Sequence, residues 1–320
     1  MLLYTVRRLL WSIPVLLIAS ILVFVAVWST TDPGALRGPG ISAADTQRFK
    51  HQLHLDASPV GQYTGWFTDF VRGDLGTSVK SRRPVWPELK DAMWNTIQLG
   101  IFASMITIFV GVLIGVVSAV KQYSFFDSFA TGLSFVGLSI PPFFFGLILQ
   151  IVLVLSFQKW FGGTPFYTSR MNSPGVTTFG IDRLRHMVLP ALTVAVQGIA
   201  VYSRYMRASM LDVLGSDYLR TARAKGVSER RVIVRHAMRN ALIPLTTFAA
   251  IDIGSIIGGL VITESIFEWP GMGNFFLDAF RGGDYVKVLP WMMIVVLSVI
   301  IFNLIADVLY GVLDPRIRLD

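Results

Sequence analysis

Six continuously apolar runs constrain this chain more than any other feature. They extend from Leu9 to Thr31, Ala92 to Val120, Ser128 to Gln158, His186 to Ser203, Asn240 to Thr263 and Val288 to Leu313, the fifth interrupted only by Asp252 and the sixth only by Asp307. Each approaches or exceeds the roughly 20 helical residues that cross about 30 Å of hydrocarbon. Inside a bilayer every backbone N–H and C=O must be satisfied without water, which leaves helices or a closed barrel. Barrel strands alternate in polarity over about ten residues. These runs do not alternate, so the predicted class is an all-α integral membrane protein with six transmembrane helices. Hydrophobic residues make up 53% of the chain and charged ones 15%, with a mean hydropathy of +0.59; soluble domains carry about 25% charge.

Lys and Arg near span ends set the orientation. Arg7 and Arg8 precede the first run, Arg316 and Arg318 follow the last, and nine of the 28 basic residues fall between Arg204 and Asn240 against three acids. Both termini, the Lys121 to Asp127 turn and the basic loop are therefore expected in the cytoplasm. The resulting division is a cytoplasmic N-terminus and first span over 1–31, an extracytoplasmic subdomain over 32–91, a five-helix core over 92–313 that contains the cytoplasmic loop 204–240, and a cytoplasmic tail over 314–320. The first run is too long for a signal-peptide h-region and reads as a retained span.

In the outer subdomain, Ser42 followed by Asp45 predicts a helix start running to about Leu55. Tyr63, Trp66, Phe67 and Phe70 then recur at helical spacing and give one aromatic face, expected at the membrane interface or over the spans. His51 and His54 share a helix face, yet two imidazoles are too few for a metal site. Residues 159–185 read as an irregular connection rich in Gly, Pro, Ser and Thr. In the stretch Glu264 to Lys287, Pro270, Gly271 and Gly273 force a turn suited to a re-entrant or capping element.

Several chemistries are excluded. The chain has no cysteine, which removes disulfides, thiolate metal sites and cysteine nucleophiles. Neither a phosphate-binding GxxxxGK[ST] loop nor HExxH occurs. The glycines at Gly38 and Gly40 imitate a dinucleotide fingerprint without the strand that gives it meaning. Ser134 and Ser139 lack a nearby base. Within the spans, Asp252 lies too deep to reach water and is expected to face the bundle or a wet cavity, as a lining of a translocation path or as a structural partner of a neighbouring span. Gln98, Gln150, Gln197 and Asn303 are weaker path candidates, since amides commonly join helices. Gly111-xxx-Gly115 and Gly254-xxx-Gly258 allow close helix approach.

The basic loop is patterned as two short helices. Asp217 is placed to cap one from Tyr218 to Lys225, stopped at Gly226, and Ser228 to cap a second. Positive-inside bias accounts for the charge, and no aromatic stacking platform points to nucleic acid. A simple positive-inside loop has no need of two capped helices; a docking site does.

The chain resembles the permease subunits of binding-protein-dependent ABC importers, in the B-type branch for peptides, opines and nickel. The resemblance rests on LYTVRRLLWSIPVLL at the start, GDLGTS at Gly73 to Ser78 before Pro84-Val85, SIPPFFFGL at Ser139 to Leu147, DYLRTARAKGVSERRVIVRHAMRNALIP, ESIFEWPGMG at Glu264 to Gly273 and DVLYGVLDPRIR from Asp307. It implies a type I importer permease fold and a docking surface for a cytoplasmic ATPase made of Asp217, Tyr218, Leu219, Arg220, Thr221, Ala222, Arg223, Ala224, Lys225, Gly226, Val227, Ser228, Glu229 and Arg230. Where the wider class has EAA, three residues and Gly, this chain has Arg220-Thr221-Ala222 before Gly226. The resemblance further implies a second, C-type permease, ATPase subunits holding ATP and Mg, an extracytoplasmic solute-binding protein, surrounding lipid, and no cofactor or catalysis in this chain. Peptides are the expected cargo, with nickel or another small solute as the alternative, and a stand-alone carrier as the competing class.

Overall fold

Proline and glycine decide how the apolar runs become helices. The computed structural model describes residues 2–30, 47, 50, 54, 56–256, 258 and 260–313, and among them the regular structure is helical apart from one antiparallel bridge, Thr77 with Pro84. Helix α1 is Leu2–Thr30, α2 Pro59–Val71, α3 Val85–Val120 and α4 Phe125–Ser139; α5 is Pro142–Phe161, with a π-helical turn at Gln150–Leu155. Then come α6 (Ile181–Leu214), α7 (Asp217–Ala224), α8 (229–241, with a π turn at Val232–Ala237), α9 (Ile243–Ile256), α10 (Val261–Ile266), α11 (Met272–Arg281) and α12 (Tyr285–Leu313). The expected helix from Ser42, apart from Gln47, Lys50 and His54, lies outside the described residues, as do His51, the Gly38 to Gly40 turn and the tail 314–320.

Among the described residues five helices are long and apolar enough to cross a membrane, in α1, α3, α5, α6 and α12. The six expected runs differ from this in two places. The third run is two helices, because Ile140 adopts an extended backbone (φ −82°, ψ 123°) ahead of Pro141-Pro142, and a residue preceding proline is driven out of the helical region. The fifth run gives only the 14-residue α9, about 21 Å long at 1.5 Å per residue. In contrast, α3 and α6 outgrow their runs, with 36 and 34 residues. Residues 204–214, assigned by hydropathy to the basic loop, are the continuation of α6.

Packing of α3 on α6 forms the centre. A Cβ on Gly111 would sit 2.8 Å from the Tyr202 Cβ, and one on Gly115 2.6 Å from the Ser203 carbonyl oxygen. Gly198 of α6 meets Thr107 of α3 in the same way, and Gly254 of α9 meets Phe302 of α12. Small residues matter here because lipid is as apolar as the side chains, so helices associate by close contact rather than by escape from water.

Around this pair, α1 is fastened to α12 by Arg8 and Asp307 at 3.0 Å and to α2 by Ser20 with Tyr63 at 2.8 Å and Trp28 with Gln62 at 3.1 Å. Tyr63 and Trp66 pack on Phe24 at 5.6 and 5.7 Å, so the aromatic face of α2 covers a span. His54 pairs with Asp69 at 2.9 Å.

The glycine contacts generate a test. Gly115→Ala should lower the melting temperature of the purified protein in detergent, as overpacking costs about 1–3 kcal/mol. Gly132→Ala, where a Cβ meets nothing within 4 Å, should leave it unchanged or raise it slightly.

Candidate functional site

Local chemistry shapes the loop after α6 before any partner is considered. Gly226 has φ +77°, a left-handed conformation that glycine adopts without strain. The Gly226 N–H donates to the Arg223 carbonyl at 2.9 Å and the Val227 N–H to the Ala222 carbonyl at 3.2 Å, the paired bonds of a Schellman stop. One correction concerns the helix start. Ser216 occupies the N-cap position, its hydroxyl donating back to the Val213 carbonyl at 2.6 Å, and Asp217 is the first helical residue rather than the cap. Ser228 does stand at the second N-cap, without a side-chain cap bond.

The tip is exposed on Asp217, Tyr218, Arg220, Thr221, Arg223, Ala224, Lys225, Gly226, Ser228, Glu229 and Arg230, and Ala222 and Val227 are half-buried. Leu219 is fully buried in a cluster with Ala119 of α3, Tyr202, Met206 and Met210 of α6, Val232, Ala237 and Ala241 of α8, and Leu245 of α9. Arg223 grips Glu229 across the turn with bonds of 2.9 and 3.1 Å, and its guanidinium holds the Glu229 carboxyl below the usual range. Tyr218 accepts from the Asn240 amide at 2.7 Å. The loop is thus a compact, basic projection rooted in the helix bundle.

A second ion pair fixes the same end of α6. Asp127 is buried at the start of α4 and accepts from Arg207 Nε and Nη2 at 2.6 and 2.8 Å. It also accepts from the Tyr123 N–H at 2.9 Å, while Ser124 Oγ accepts from the Asp127 N–H at 3.3 Å, a reciprocal cap of α4. The Arg207 bond, with the Tyr123 bond and charge in support, holds the Asp127 carboxyl below its ordinary range against the opposing effect of burial.

The polar residues of the spans are placed separately. Asp252 of α9 accepts from the Tyr202 hydroxyl at 3.3 Å. Gln98 accepts from Arg183 at 3.1 Å, Gln150 donates to the Thr168 and Ile266 carbonyls, and Gln197 donates at 3.2 Å to the Ile140 carbonyl at the break between α4 and α5. Asn303 is exposed on α12. The five do not converge on one cavity. A groove of about 1240 Å³ runs between α3, α9 and α12, lined by apolar residues including Ile101, Met105, Phe109, Ile253 and Phe302, and contains none of them.

One buried constellation escaped the sequence reading. Glu264 is fully buried; its carboxylate accepts from Thr96 Oγ1 at 2.6 Å and from the Gly273 and Asn274 N–H groups at 2.7 and 3.2 Å. Thr96 Oγ1 in turn accepts from the Met272 N–H at 2.7 Å. Glu264 therefore caps the first turn of α11 from another element, where the orphan N–H groups and the helix dipole favour an anion. A Cβ on Gly271 or Gly273 would strike the Glu264 carboxylate, so ESIFEWPGMG is a matched set. The stretch was legible as a turn, but the partnership with Thr96, 168 positions away, was not. Nearby, Asp284 accepts from Ser78 Oγ at 2.5 Å and from the Val79 N–H at 3.3 Å, which closes the GDLGTS segment onto the same hairpin.

Residues 111–319 match the family of binding-protein-dependent transport system inner membrane components. The chain belongs to that family. Among curated relatives of this transport system component, the oligopeptide transport system permease protein AppB of Bacillus subtilis is 41% identical over 320 residues, covering 98% of this chain and 99% of that one. The dipeptide transport system permease protein DppB of Escherichia coli K12 is 37% identical over 336 residues, and the glutathione transport system permease protein GsiC of the same strain 36% over 320, each pairing covering 99% of both chains. A chain of the MetNI methionine ABC transporter, in an inward-facing crystal form, superposes with a TM-score of 0.53 at 14% identity, covering 71% of this chain and 96% of that one. That likeness shows the type I importer permease fold. The protein is a permease component of the ABC importer class, with membrane-spanning helices and peptide-transport homologues.

Two tests follow from the polar contacts. Asp127→Asn should destabilise the protein by about 2 kcal/mol, the scale of a charged hydrogen bond. Because the folded carboxyl titrates below its unfolded value, this contribution is complete above the unfolded pKa and is lost as pH falls through the folded one. The melting-temperature gap between parent and Asp127→Asn should therefore be widest near neutrality and close on the acid side. Separately, Glu264→Gln removes the anion at the start of α11 and, with its oxygen kept on the Gly273 and Asn274 N–H groups, sets an amide donor against the Thr96 hydroxyl that donated to Glu264; it should lower the melting temperature more than Thr96→Ser, which keeps the hydroxyl.

Proposed function

We propose that this chain forms half of a translocation pathway for peptides across a bacterial or archaeal plasma membrane and is driven by ATPase subunits docked on residues 217–230. Its termini and the docking loop face the cytoplasm. Its partners are a homologous C-type permease, ATPases that hold ATP and Mg, and an extracytoplasmic solute-binding protein. The observation that carries this reading is the loop: a basic projection, stopped at Gly226, whose fully buried Leu219 is locked into the bundle. A rigid projection transmits force, whereas a loose one absorbs it. Nucleotide-driven closure of the ATPases then biases two arrangements of the bundle through different contacts in each.

Peptides as cargo are supported by the relatives, whose names specify oligopeptides, dipeptides and glutathione. Asp252, with Gln98, Gln150, Gln197 and Asn303 as lesser candidates, supplies polar groups along the path; an intramembrane carboxylate is a functional candidate by its energetic cost alone.

The test is co-purification. The tagged parent, extracted from its native host in mild detergent, should bring down an ABC ATPase and a second permease identified by mass spectrometry. Gly226→Asp combined with Ala222→Glu strains the turn and charges the packed side of α7; it should lose the ATPase and keep the permease. Recovery of the parent chain alone would favour a stand-alone carrier. Loss of uptake of a di- and tripeptide mixture on deletion, with nickel uptake intact, would establish the cargo class.

A further inference from the structure

Tyr202 is 2% exposed, deep in α6, and its surroundings are unusual for a residue serving only as packing. Its Cβ is pressed against Gly111 of α3, where an added Cβ would come within 2.8 Å. The ring meets Phe248 edge-on at 5.2 Å, and the hydroxyl donates to Asp252 Oδ2 at 3.3 Å. Phe248 and Asp252 are four apart on α9, hence neighbours on one helix face. One side chain therefore holds α9 at two points, by ring and by hydroxyl. The same side chain belongs to the buried cluster that contains Leu219 of the docking helix.

We propose that Tyr202 is a positioning residue: it orients the Asp252 carboxylate towards the path and joins α9 to the body that the docking loop moves. This deepens the importer reading and rests on it. The physical ground is that a carboxylate this far from water needs donors, and one of them, Tyr202, belongs to the helix that continues to the docking loop. Movement of α7 enters the buried cluster that Leu219 shares with Met206, Met210 and Tyr202, and a displacement of Tyr202 must either carry Asp252 with it or release it.

The experiment uses the intact complex from the native host, reconstituted in lipid with its solute-binding protein, and a di- and tripeptide mixture as the probe. Uptake, ATP hydrolysis with and without peptide, and melting temperature are read for the parent, Tyr202→Phe, Asp252→Asn and the double variant. Tyr202→Phe keeps the ring and loses only the hydroxyl, so it should assemble, melt near the parent and keep its peptide-free ATPase rate. Its uptake per ATP hydrolysed should fall about fivefold or more, the scale of a functional coupling energy, and peptide stimulation of the ATPase should fall with it. The double variant should be no worse than the worse single, as expected when both substitutions cut one interaction. Parent-like uptake per ATP in Tyr202→Phe, or losses that multiply in the double variant, would overturn the proposal. A fall in melting temperature with uptake per ATP unchanged would reduce Tyr202 to packing and overturn it as well. A parent complex without an ATPase would instead defeat the importer reading itself.

Discussion

Backbone contact between α3 and α6 is the constraint on which the other features depend. Without a hydrophobic force between helices in lipid, two long helices stay together only where their surfaces fit closely. Gly111, Gly115 and Gly198 provide that fit against Tyr202, Ser203, Met206 and Thr107. With α3 as its bed, α6 runs as one rod of 34 residues, about 51 Å at the helical rise. At one end of the rod Arg183 reaches Gln98, Asn172 and the Thr177 carbonyl. At the other, Gly215 and Ser216 lead directly into α7, whose Leu219 is embedded in the same packing.

Buried or half-buried carboxylates mark the joints between the α3–α6 pair and its neighbours. Asp127 joins α4 to α6 through Arg207, Asp252 joins α9 to α6 through Tyr202, and Glu264 joins the α10–α11 hairpin to α3 through Thr96. Each bond crosses between elements rather than running along one. A buried charge deprived of its partner costs several kcal/mol, so such joints resist gradual loosening and favour a few discrete arrangements. That behaviour suits a permease, which must hold a pathway closed to one side while it opens to the other.

Much of this was legible in the sequence, and the reasons are local ones. Hydrophobic runs, the Gly226 stop, the GxxxG spacings and the aromatic face of α2 depend on residues within a few positions of each other. The family motifs pointed to the same stretch, 217–230, that the structure folds into a basic projection. What periodicity missed was the end of α6, because Arg204 and Arg207 look like the start of a loop on a hydropathy scale although the helix continues through them. The break at Ile140 was written in Pro141-Pro142 but concealed by the unbroken apolarity around it. The pairs Glu264 with Thr96, Asp127 with Arg207 and Tyr202 with Asp252 join residues 50 to 168 positions apart, and no spacing rule brings such residues together.

The central claim is that α7, the proposed docking helix, and the α6 rod move as one body. The chain contains no cysteine, so spin labels can be placed at Ile181→Cys and Arg220→Cys, both exposed sites at opposite ends of that body. Electron–electron resonance would then measure their separation in the reconstituted complex without nucleotide and with ATP trapped by vanadate. The account expects an unchanged distance, while a label at Arg220 moves relative to one on the proposed second permease. A change within the chain of more than about 5 Å, the size of a one-turn slip between helices, would contradict it.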